Sequence, residues 1–242
     1  MTFQQIPEWL NRTELLLGQE KVNKLFQSHV LVVGLGGVGA FAAEMLARAG
    51  IGKLTIADGD VVKPSNRNRQ ILALISSQNM AKTELMKERL LDINPEITIN
   101  TISQFLKGSD MPQLLTEKYD YVVDAIDTIT PKIFLIVNTL KQKYPLISSM
   151  GAGGRTDPTK IIIDDISKSY NCTLARMIRK KLNKFGIKSG FDVVFSYEIV
   201  DKNSVIFVDN EPNKKTTVGT ISYMPAMFGI MAAAKVIRTL SK

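Results

Sequence analysis

The stretch DGDVVKPSNRNRQI, residues 58–71, is dense in side chains that form strong hydrogen bonds. Its fourteen residues hold two carboxylates, three cations and two asparagines, and they follow an apolar run that is typical of a β-strand. One interpretation is an exposed polar loop at a strand end. The other is a set of charged and neutral groups that converge on a polyanion.

A glycine motif upstream of this stretch points to a nucleotide. Gly34, Gly36 and Gly39 form G-x-G-x-x-G, which follows a β-branched run and opens a segment with helical spacing. Such glycines permit a tight turn, let the backbone approach a phosphate, and allow close packing of helix on strand. The helix N-terminus then offers free N–H groups to an anion. Asp58, nineteen residues past Gly39, is placed to accept the ribose hydroxyls.

These two features predict a nucleotide but not a reaction, because an NAD-dependent dehydrogenase would share them. The residues after Asp58 favour a triphosphate, since charge that develops on a phosphate chain needs placed donors. Arg69 and Asn66 are candidate donors, and Lys82, near the start of the next predicted helix, is a third. Asp127 ends an apolar strand and suits Mg²⁺. Taken singly, each has an ordinary alternative as a surface arginine, a helix-surface lysine or a helix-capping aspartate.

The elements that must position these residues alternate between strand and helix patterns. Parallel sheets arise from such alternation. We therefore predict an α/β fold with a doubly wound, Rossmann-like, mostly parallel sheet. The first predicted strand begins at residue 29, and the next ones span 53–58, 97–102, 119–127 and 145–150. The predicted helices span 38–52, 79–95 and 131–144.

After residue 150 the pattern changes to a C-terminal antiparallel extension. Strands are predicted at 160–166, 191–200 and 203–209, and a closing helix runs from about Met224 to Leu240. We expect one domain over residues 1–242, because neither a flexible linker nor an internal repeat interrupts it. It would comprise an N-terminal helical arm (1–28), the core (29–150) and the extension with its basic helix (151–242).

Positive charge is concentrated in the extension. Residues 166–191 contain no Asp or Glu and carry +7 of the net charge of +8. Arg176, Lys180 and Lys184 repeat every four residues and would share a helix face, and Arg179 lies among them. One interpretation is a solvated helix face. The other is contact with the phosphates of a nucleic acid.

Several classes of site and location are disfavoured. A single cysteine, Cys172, excludes an intrachain disulfide and a multi-cysteine zinc site. It is more typical of a small packed residue than of a nucleophile, and the single histidine, His29, is predicted to be structural. The uncharged run at 218–234 is shorter than a membrane span requires. The first residues do not form a signal peptide, so we expect a cytoplasmic protein.

The sequence resembles the ubiquitin-activating-like ThiF/MoeB/HesA superfamily in its GLGGVG, in the D-x-D of Asp58 and Asp60, in N-x-x-R-Q, in Lys82 and in DAID. Members of this superfamily adenylate a carboxylate with ATP and Mg²⁺. The resemblance implies that Arg12 reaches into the ATP site of the partner in a homodimer. It also implies nucleotide contacts from Gly34, Gly36, Gly37, Gly39, Asp58, Asp60, Asn66, Arg69 and Lys82, and a metal contact from Asp127.

Four further segments narrow the resemblance. DAIDTITPK, SSMGAGGRTDPTKIIIDDISK, CTLARMIRKKLNKFGIK and MPAMFGIMAAAKVI resemble the tRNA threonylcarbamoyladenosine dehydratases, and the paired zinc cysteines of carrier-activating members are missing. This implies an ATP-dependent, ligase-type enzyme that adenylates and then cyclises the threonyl carboxylate on tRNA. The basic segment would contact that tRNA. The resemblance also suggests a monovalent cation near the ATP and a sulfur-relay protein as a partner.

Three alternatives remain open. One is adenylation of a ubiquitin-like sulfur-carrier protein, which the missing zinc cysteines disfavour. The second is a non-catalytic scaffold that binds a nucleotide or tRNA, which would not need the complete triphosphate set. The third is the dehydrogenase, which NAD binding without ATP binding would support.

Overall fold

The computed structural model describes residues 6–211 and 214–242 of the chain. The N-terminal arm predicted at 1–28 therefore lies partly outside the described residues. Its described part forms two short helices, α1 (Asn11–Leu17) and α2 (Gln19–Gln27), separated by Gly18.

Strands and helices then alternate as the sequence predicts. The core contains, in order, β1 (His29–Val33), α3 (Gly39–Arg48), β2 (Lys53–Ala57), α4 (Lys82–Ile93), β3 (Thr98–Ile102), α5 (Met111–Leu114), β4 (Tyr121–Asp124), α6 (Ile129–Lys141) and β5 (Leu146–Ser149). The extension contains β6 (Ile161–Asp165), α7 (Thr173–Leu182), β7 (Asp192–Ser196), β8 (Val205–Glu211), β9 (Lys214–Val218) and α8 (Tyr223–Leu240).

Seven of these strands form one sheet in the order β3-β2-β1-β4-β5-β7-β6. Every neighbouring pair is parallel except β6 and β7. The connections change direction between β1 and β4, and ligands of such sheets bind beyond the carboxyl ends of the strands at that point. The predicted mostly parallel, doubly wound sheet with an antiparallel extension and a closing helix is confirmed. The extension also adds one parallel strand, β7, beside β5.

Apolar side chains on both faces of the strands create two cores. Val30 and Val32 of β1 face the core that α3, α4 and α8 cover, whereas Leu31 and Val33 face the one that α5, α6 and α7 cover. Helix α8 packs tightly on α3, since a Cβ added at Gly229 would lie 2.2 Å from the carbonyl oxygen of Val38. The closing helix thereby supports the segment in which the glycine motif lies.

Some element boundaries differ from the predictions. The helix predicted at 79–95 begins only at Lys82, because Asn79 is left-handed (φ 66°) and Val61 forms a β-bridge with Ala81. The strand predicted at 191–200 ends at Ser196. Strand β9 was not predicted at all; it pairs antiparallel with β8 in a hairpin separate from the main sheet. In the part of the chain that is described, no helix has the length and apolar character of a membrane span.

Candidate active site

Three segments meet at the carboxyl ends of β1, β2 and β4 and form a crevice. They are the glycine loop (residues 34–39), the polar segment (58–71) and the β4 loop (125–128). A Cβ added at Gly34, whose φ is +93°, would lie 2.7 Å from the carbonyl oxygen of Ala125. A Cβ added at Gly37 would lie 3.0 Å from the carbonyl oxygen of Arg69. The glycine loop therefore touches both other walls.

The glycines of the loop differ in what surrounds them. A Cβ at Gly39 would lie 1.7 Å from the carbonyl oxygen of Gly34, so the fold itself requires glycine there. For a Cβ added at Gly36, the nearest atom in the described residues, apart from its chain neighbours, is the amide nitrogen of Gln70, at 3.8 Å. Because Gly36 borders open space just before α3, it is the position at which a phosphate can approach the backbone.

Asp58 lies between the glycine loop and the polar segment. Its Oδ2 accepts a hydrogen bond from the N–H of Leu35 at 2.6 Å, and its Oδ1 accepts one from the N–H of Asp60 at 2.7 Å. Burial raises the pKa of Asp58, although the charge of Lys82 opposes the shift. Each carboxylate oxygen keeps a further lone pair, so the group can still accept the two hydroxyls of a ribose.

Lys82 is placed by an ion pair with Asp60. The distance between its Nζ and Asp60 Oδ2 is 3.2 Å, and only 4% of the lysine side chain is exposed. Its backbone N–H also donates to the carbonyl oxygen of Asp60. The structure thus brings Asp58, Asp60 and Lys82 together, with Asp60 as the residue that holds the lysine at the start of α4.

Arg69 and Asn66 occupy the same wall. Asn66 is buried, and its amide oxygen accepts the N–H of Lys63 at 3.0 Å. The guanidinium of Arg69 donates to the carbonyl oxygen of Ser65 at 2.9 Å and to the amide oxygen of Asn68 at 2.8 Å. Both acceptors are neutral, and a phosphate oxygen would form stronger, charge-assisted bonds with the same donors.

Gln70 is a site residue to which the sequence reasoning assigned no role. Its side chain is buried beside Gly36, and no hydrogen-bond donor within the described residues reaches its Oε1. An unsatisfied buried amide oxygen costs free energy, and it suits a ligand that brings an amino or hydroxyl group. Its place in N-x-x-R-Q was the only signal in the sequence.

A fully buried polar network supports the β4 loop, and it too was missed. Lys132 Nζ lies 2.8 Å from Asp124 Oδ2 and donates to the carbonyl oxygen of Ile126 at 2.9 Å. Ser148 donates to the same carboxylate oxygen at 2.6 Å, and the N–H of Ile126 donates to Asp124 Oδ1. The loop that carries Asp127 is therefore held from below by β4, β5 and α6.

The residues present fit a magnesium ion that is shared with a nucleotide. Among residues 6–211 and 214–242, no group of three or more His, Cys, Asp or Glu side chains is arranged to hold a metal by itself. Mg²⁺ usually keeps several waters and binds through one or two carboxylates together with substrate phosphates. Asp127, exposed on the β4 loop at the edge of the crevice, meets that requirement.

The structure does not bring Arg12 to the crevice of its own chain. Arg12 is exposed on α1. Leu10, which precedes α1, is buried against Gly50 in the turn before β2. That turn lies at the amino ends of the strands, opposite the crevice. Any contact of Arg12 with a nucleotide would therefore involve the site of another chain.

The basic segment is only partly a uniform surface. Arg176 and Lys180 are exposed on α7, and Lys184 is exposed in the turn that follows it. Arg179 instead donates to the carbonyl oxygen of Ser169 at 2.7 Å and lies within hydrogen-bond reach of the Ser169 hydroxyl. RNA contact by these four residues stays a prediction.

Comparison with known proteins adds independent information. The sequence profile of the ThiF family matches residues 10–242. A Bacillus subtilis protein named tRNA threonylcarbamoyladenosine dehydratase is 41% identical over 239 residues, which are 96% of this chain and 94% of that protein. The structure of the Escherichia coli tRNA N6-threonylcarbamoyladenosine dehydratase in complex with ATP superposes with a TM-score of 0.88 at 34% identity, covering 96% of this chain and 93% of that one. The E. coli molybdopterin-synthase adenylyltransferase, 34% identical, covers only 64% of this chain and 61% of its own length.

Proposed function

Because the chain belongs to the ThiF family, we propose that it is the enzyme that dehydrates threonylcarbamoyladenosine in tRNA with ATP as co-substrate. The observation that carries the proposal is the share of the chain that each group of relatives matches. The dehydratase match covers 96% of the chain and so includes most of the C-terminal extension, whereas the molybdopterin-synthase adenylyltransferase match covers 64%. The longer match therefore favours the tRNA substrate over a carrier protein. Its function places the enzyme in the compartment where tRNA is modified, which we take to be the cytoplasm.

In the first step, the threonyl carboxylate of the substrate attacks the α-phosphorus of ATP, and pyrophosphate leaves. The product is a mixed anhydride between the substrate acyl group and AMP. Gly36 and the first turn of α3 offer backbone N–H groups to the phosphates, and Asp58 accepts the ribose hydroxyls. Arg69 and Lys82 stabilise the charge that develops on the leaving pyrophosphate. Mg²⁺, held by Asp127 and the phosphates, would supply further neutralisation when bound.

In the second step, a neighbouring atom of the same modification attacks the activated acyl carbon. AMP leaves, the attacking atom loses its proton, and a ring closes. Relative to the starting acid the nucleoside has lost one water, and ATP has become AMP and pyrophosphate. Because the attack is intramolecular, correct positioning supplies much of the rate. The step requires no nucleophile from the enzyme, so Cys172, which is buried, has no necessary part in it.

We further propose a homodimer in which Arg12 contributes to the partner's site. Two apolar side chains next to it on α1, Leu15 and Leu16, are 90% and 82% exposed. Exposed apolar side chains at adjacent positions support a protein contact. Such a contact would carry Arg12 from the amino edge of its own sheet to a second chain. The single-domain organisation, a sulfur-relay partner and a monovalent cation near the ATP stay predictions.

The experiment that tests this function uses the full chain, ATP, Mg²⁺ and tRNA that carries threonylcarbamoyladenosine. After digestion of the tRNA, mass spectrometry should detect a nucleoside that is lighter by one water. A reaction without ATP is the control and should leave the mass unchanged. If the mass never falls, the dehydratase assignment is wrong. Pyrophosphate exchange that depends on an added carrier protein would then support the adenylyltransferase alternative.

A further inference from the structure

An aromatic pair lies at the carboxyl end of β7, with Tyr197 half-buried and Tyr170 on its outside. The ring of Tyr170 stacks on that of Tyr197, with 5.9 Å between the centroids and 21° between the planes. The rings of Tyr170 and the buried Phe195 form a T-shaped contact, with 5.7 Å between their centroids. Half of Tyr170 is nevertheless exposed to solvent. We call Tyr170 and Tyr197 the tyrosine pair.

The backbone on both sides of Tyr170 is held in place. The side-chain amide of Asn171, which is left-handed (φ 51°), donates to the carbonyl oxygen of Tyr197 at 2.9 Å. The buried Arg155 donates to the carbonyl oxygen of Asn171 at 3.1 Å. On the other side, Arg179 donates to the carbonyl oxygen of Ser169. The ring is therefore oriented before any ligand arrives, which lowers the entropic cost of stacking on it.

The tyrosine pair lies on the same edge of the sheet as the crevice. Strand β7 is parallel to β5, and the order β1-β4-β5-β7 puts it three strand spacings from β1 and two from β4, the nearest strand that borders the crevice. At about 4.8 Å for each spacing, these lateral distances are roughly 14 Å and 10 Å. The nucleotides that flank a modified nucleotide bound in the crevice would reach over that distance.

Positive charge starts next to the tyrosine pair. Helix α7 begins three residues after Tyr170, and the exposed Arg176 and Lys180 lie on its first and second turns. Two acidic groups of the adjoining strands and loops are already engaged. Asp164 pairs with Lys168 at 3.0 Å, and Glu198 accepts the backbone N–H groups of residues 156 and 157.

From this arrangement we propose that the tyrosine pair is a stacking platform for an unpaired base beside the modified nucleotide, with Arg176 and Lys180 on the adjoining phosphates. Proteins bind single-stranded nucleic acid with this combination of aromatic faces and a positive groove, and RNA loops are recognised through splayed, stacked bases. The proposal rests on the proposed function, because it takes the substrate to be a tRNA.

The test compares Tyr170→Leu with Tyr170→Phe in the full chain. Leucine keeps an apolar cover over Tyr197 and Phe195 but removes the aromatic face. Phenylalanine keeps the aromatic face and removes only the hydroxyl group. Binding of tRNA that carries threonylcarbamoyladenosine is measured without ATP at several salt concentrations. We expect Tyr170→Leu to weaken binding by about tenfold and Tyr170→Phe to remain within about twofold of the wild type.

The salt dependence separates stacking from charge. Tyr170→Leu should leave the slope of log K against log salt unchanged, whereas Arg176→Ala should reduce its magnitude by about one. Phe185→Ala is the matched control, since Phe185 is also exposed but lies beyond the far end of α7. Thermal melting of each variant verifies that it is folded.

The outcomes distinguish failure of the platform from failure of the dehydratase function. If Tyr170→Leu binds tRNA as the wild type does, or if Phe185→Ala loses as much affinity, there is no platform at Tyr170. If the wild type binds the tRNA but never removes water from it, the dehydratase function fails while the binding series still judges the platform. If the wild type does not bind the tRNA at all, both proposals are overturned.

Discussion

Lys132 Nζ lies 2.8 Å from Asp124 Oδ2, and neither side chain is exposed to solvent. The lysine comes from α6 and the carboxylate from the last residue of β4, so the pair joins a helix to the sheet directly below the β4 loop. Ser148 on β5 donates to the same oxygen. An ion pair buried this deeply contributes modest net stability when complete, but removing one partner leaves an uncompensated charge.

We therefore expect Lys132→Met to lower the free energy of unfolding by about 3–5 kcal/mol. Urea denaturation measures the effect. Adding Asp124→Asn to the Lys132→Met chain removes the stranded charge while keeping the shape, and it should restore part of the loss. A single variant that costs less than about 1 kcal/mol would mean that the buried pair is not what holds the β4 loop.

ATP affinity should depend on pH through Asp58, whose pKa burial raises from its ordinary value of 3.8. In the free protein, a raised carboxyl pKa contributes stability below the unfolded pKa, and this is lost as pH rises through the folded pKa. ATP acts in the opposite direction, because the ribose hydroxyls need the ionised carboxylate. Affinity should thus begin to fall on acidification at a higher pH than an ordinary aspartate would cause. Titration calorimetry across the acidic range measures it.

The control for that series is Asp58→Asn. An amide has the same shape but does not titrate, so this variant should bind ATP weakly and lose the acidic limb of the pH dependence. If the limb persists in Asp58→Asn, another group is responsible for it.

Most of the sheet was predictable because apolar residues recur with a different spacing in strands and in helices. The segment between residues 29 and 150 shows both spacings clearly. The boundaries that failed depend on single contacts distant in sequence. The bridge between Val61 and Ala81 holds the preceding Asn79 in a left-handed conformation, which delays the start of α4. No local pattern in the sequence encodes that pairing. Strand β7 pairs antiparallel with β6 as predicted, but it also pairs parallel with β5, which was not predicted, because the chain of the extension returns alongside that strand.

The residues that meet at the crevice were predictable where a residue type has one dominant chemistry, and their roles stay predictions. The glycines, Asp58, Arg69 and Lys82 carry it in their spacing. Gln70 and Lys132 could not be assigned, since a glutamine or a lysine on a helix or turn is usually exposed. Their roles follow from burial, which only the packed structure supplies. Arg179 shows the reverse case, because its charge suggests an RNA contact while its guanidinium bonds to Ser169.

Two glycines in one loop should respond differently to alanine. Gly36→Ala adds a methyl group to open space, with its nearest atom at 3.8 Å. We expect a folded protein that has lost ATP affinity by at least about tenfold, because the methyl group occupies the position of closest approach to phosphate. Gly39→Ala would collide with the backbone of Gly34 and should prevent stable folding. Thermal melting and ATP titration of both variants measure the difference, and equal behaviour would contradict it.

Arg69 should matter for turnover more than for folding. Within the described residues, its guanidinium bonds to neutral acceptors of its own segment, so Arg69→Ala should melt near the wild-type temperature. Loss of one donor to developing charge typically costs about 10²–10³ in rate, and we expect a loss of that size in the single-turnover rate of dehydration. Arg69→Lys keeps the charge without the fork and should recover only part. Near-normal turnover in Arg69→Ala would remove the residue from the phosphate site.

The role of Arg12 can be tested by mixing subunits, because α1 places it away from the crevice of its own chain. If Arg12 acts on the partner's site, the homodimers Arg12→Ala and Arg69→Ala should both be nearly inactive. A heterodimer of the two variants contains one site with an intact Arg69 on one chain and an intact Arg12 from the other. Its turnover per dimer should therefore return to about half of the wild-type value.

The heterodimer is isolated with two different affinity tags and assayed by loss of one water from the tRNA nucleoside. If it stays as inactive as the parents although it forms normally, Arg12 does not act across the interface. If Arg12→Ala alone is fully active, Arg12 has no part in the reaction.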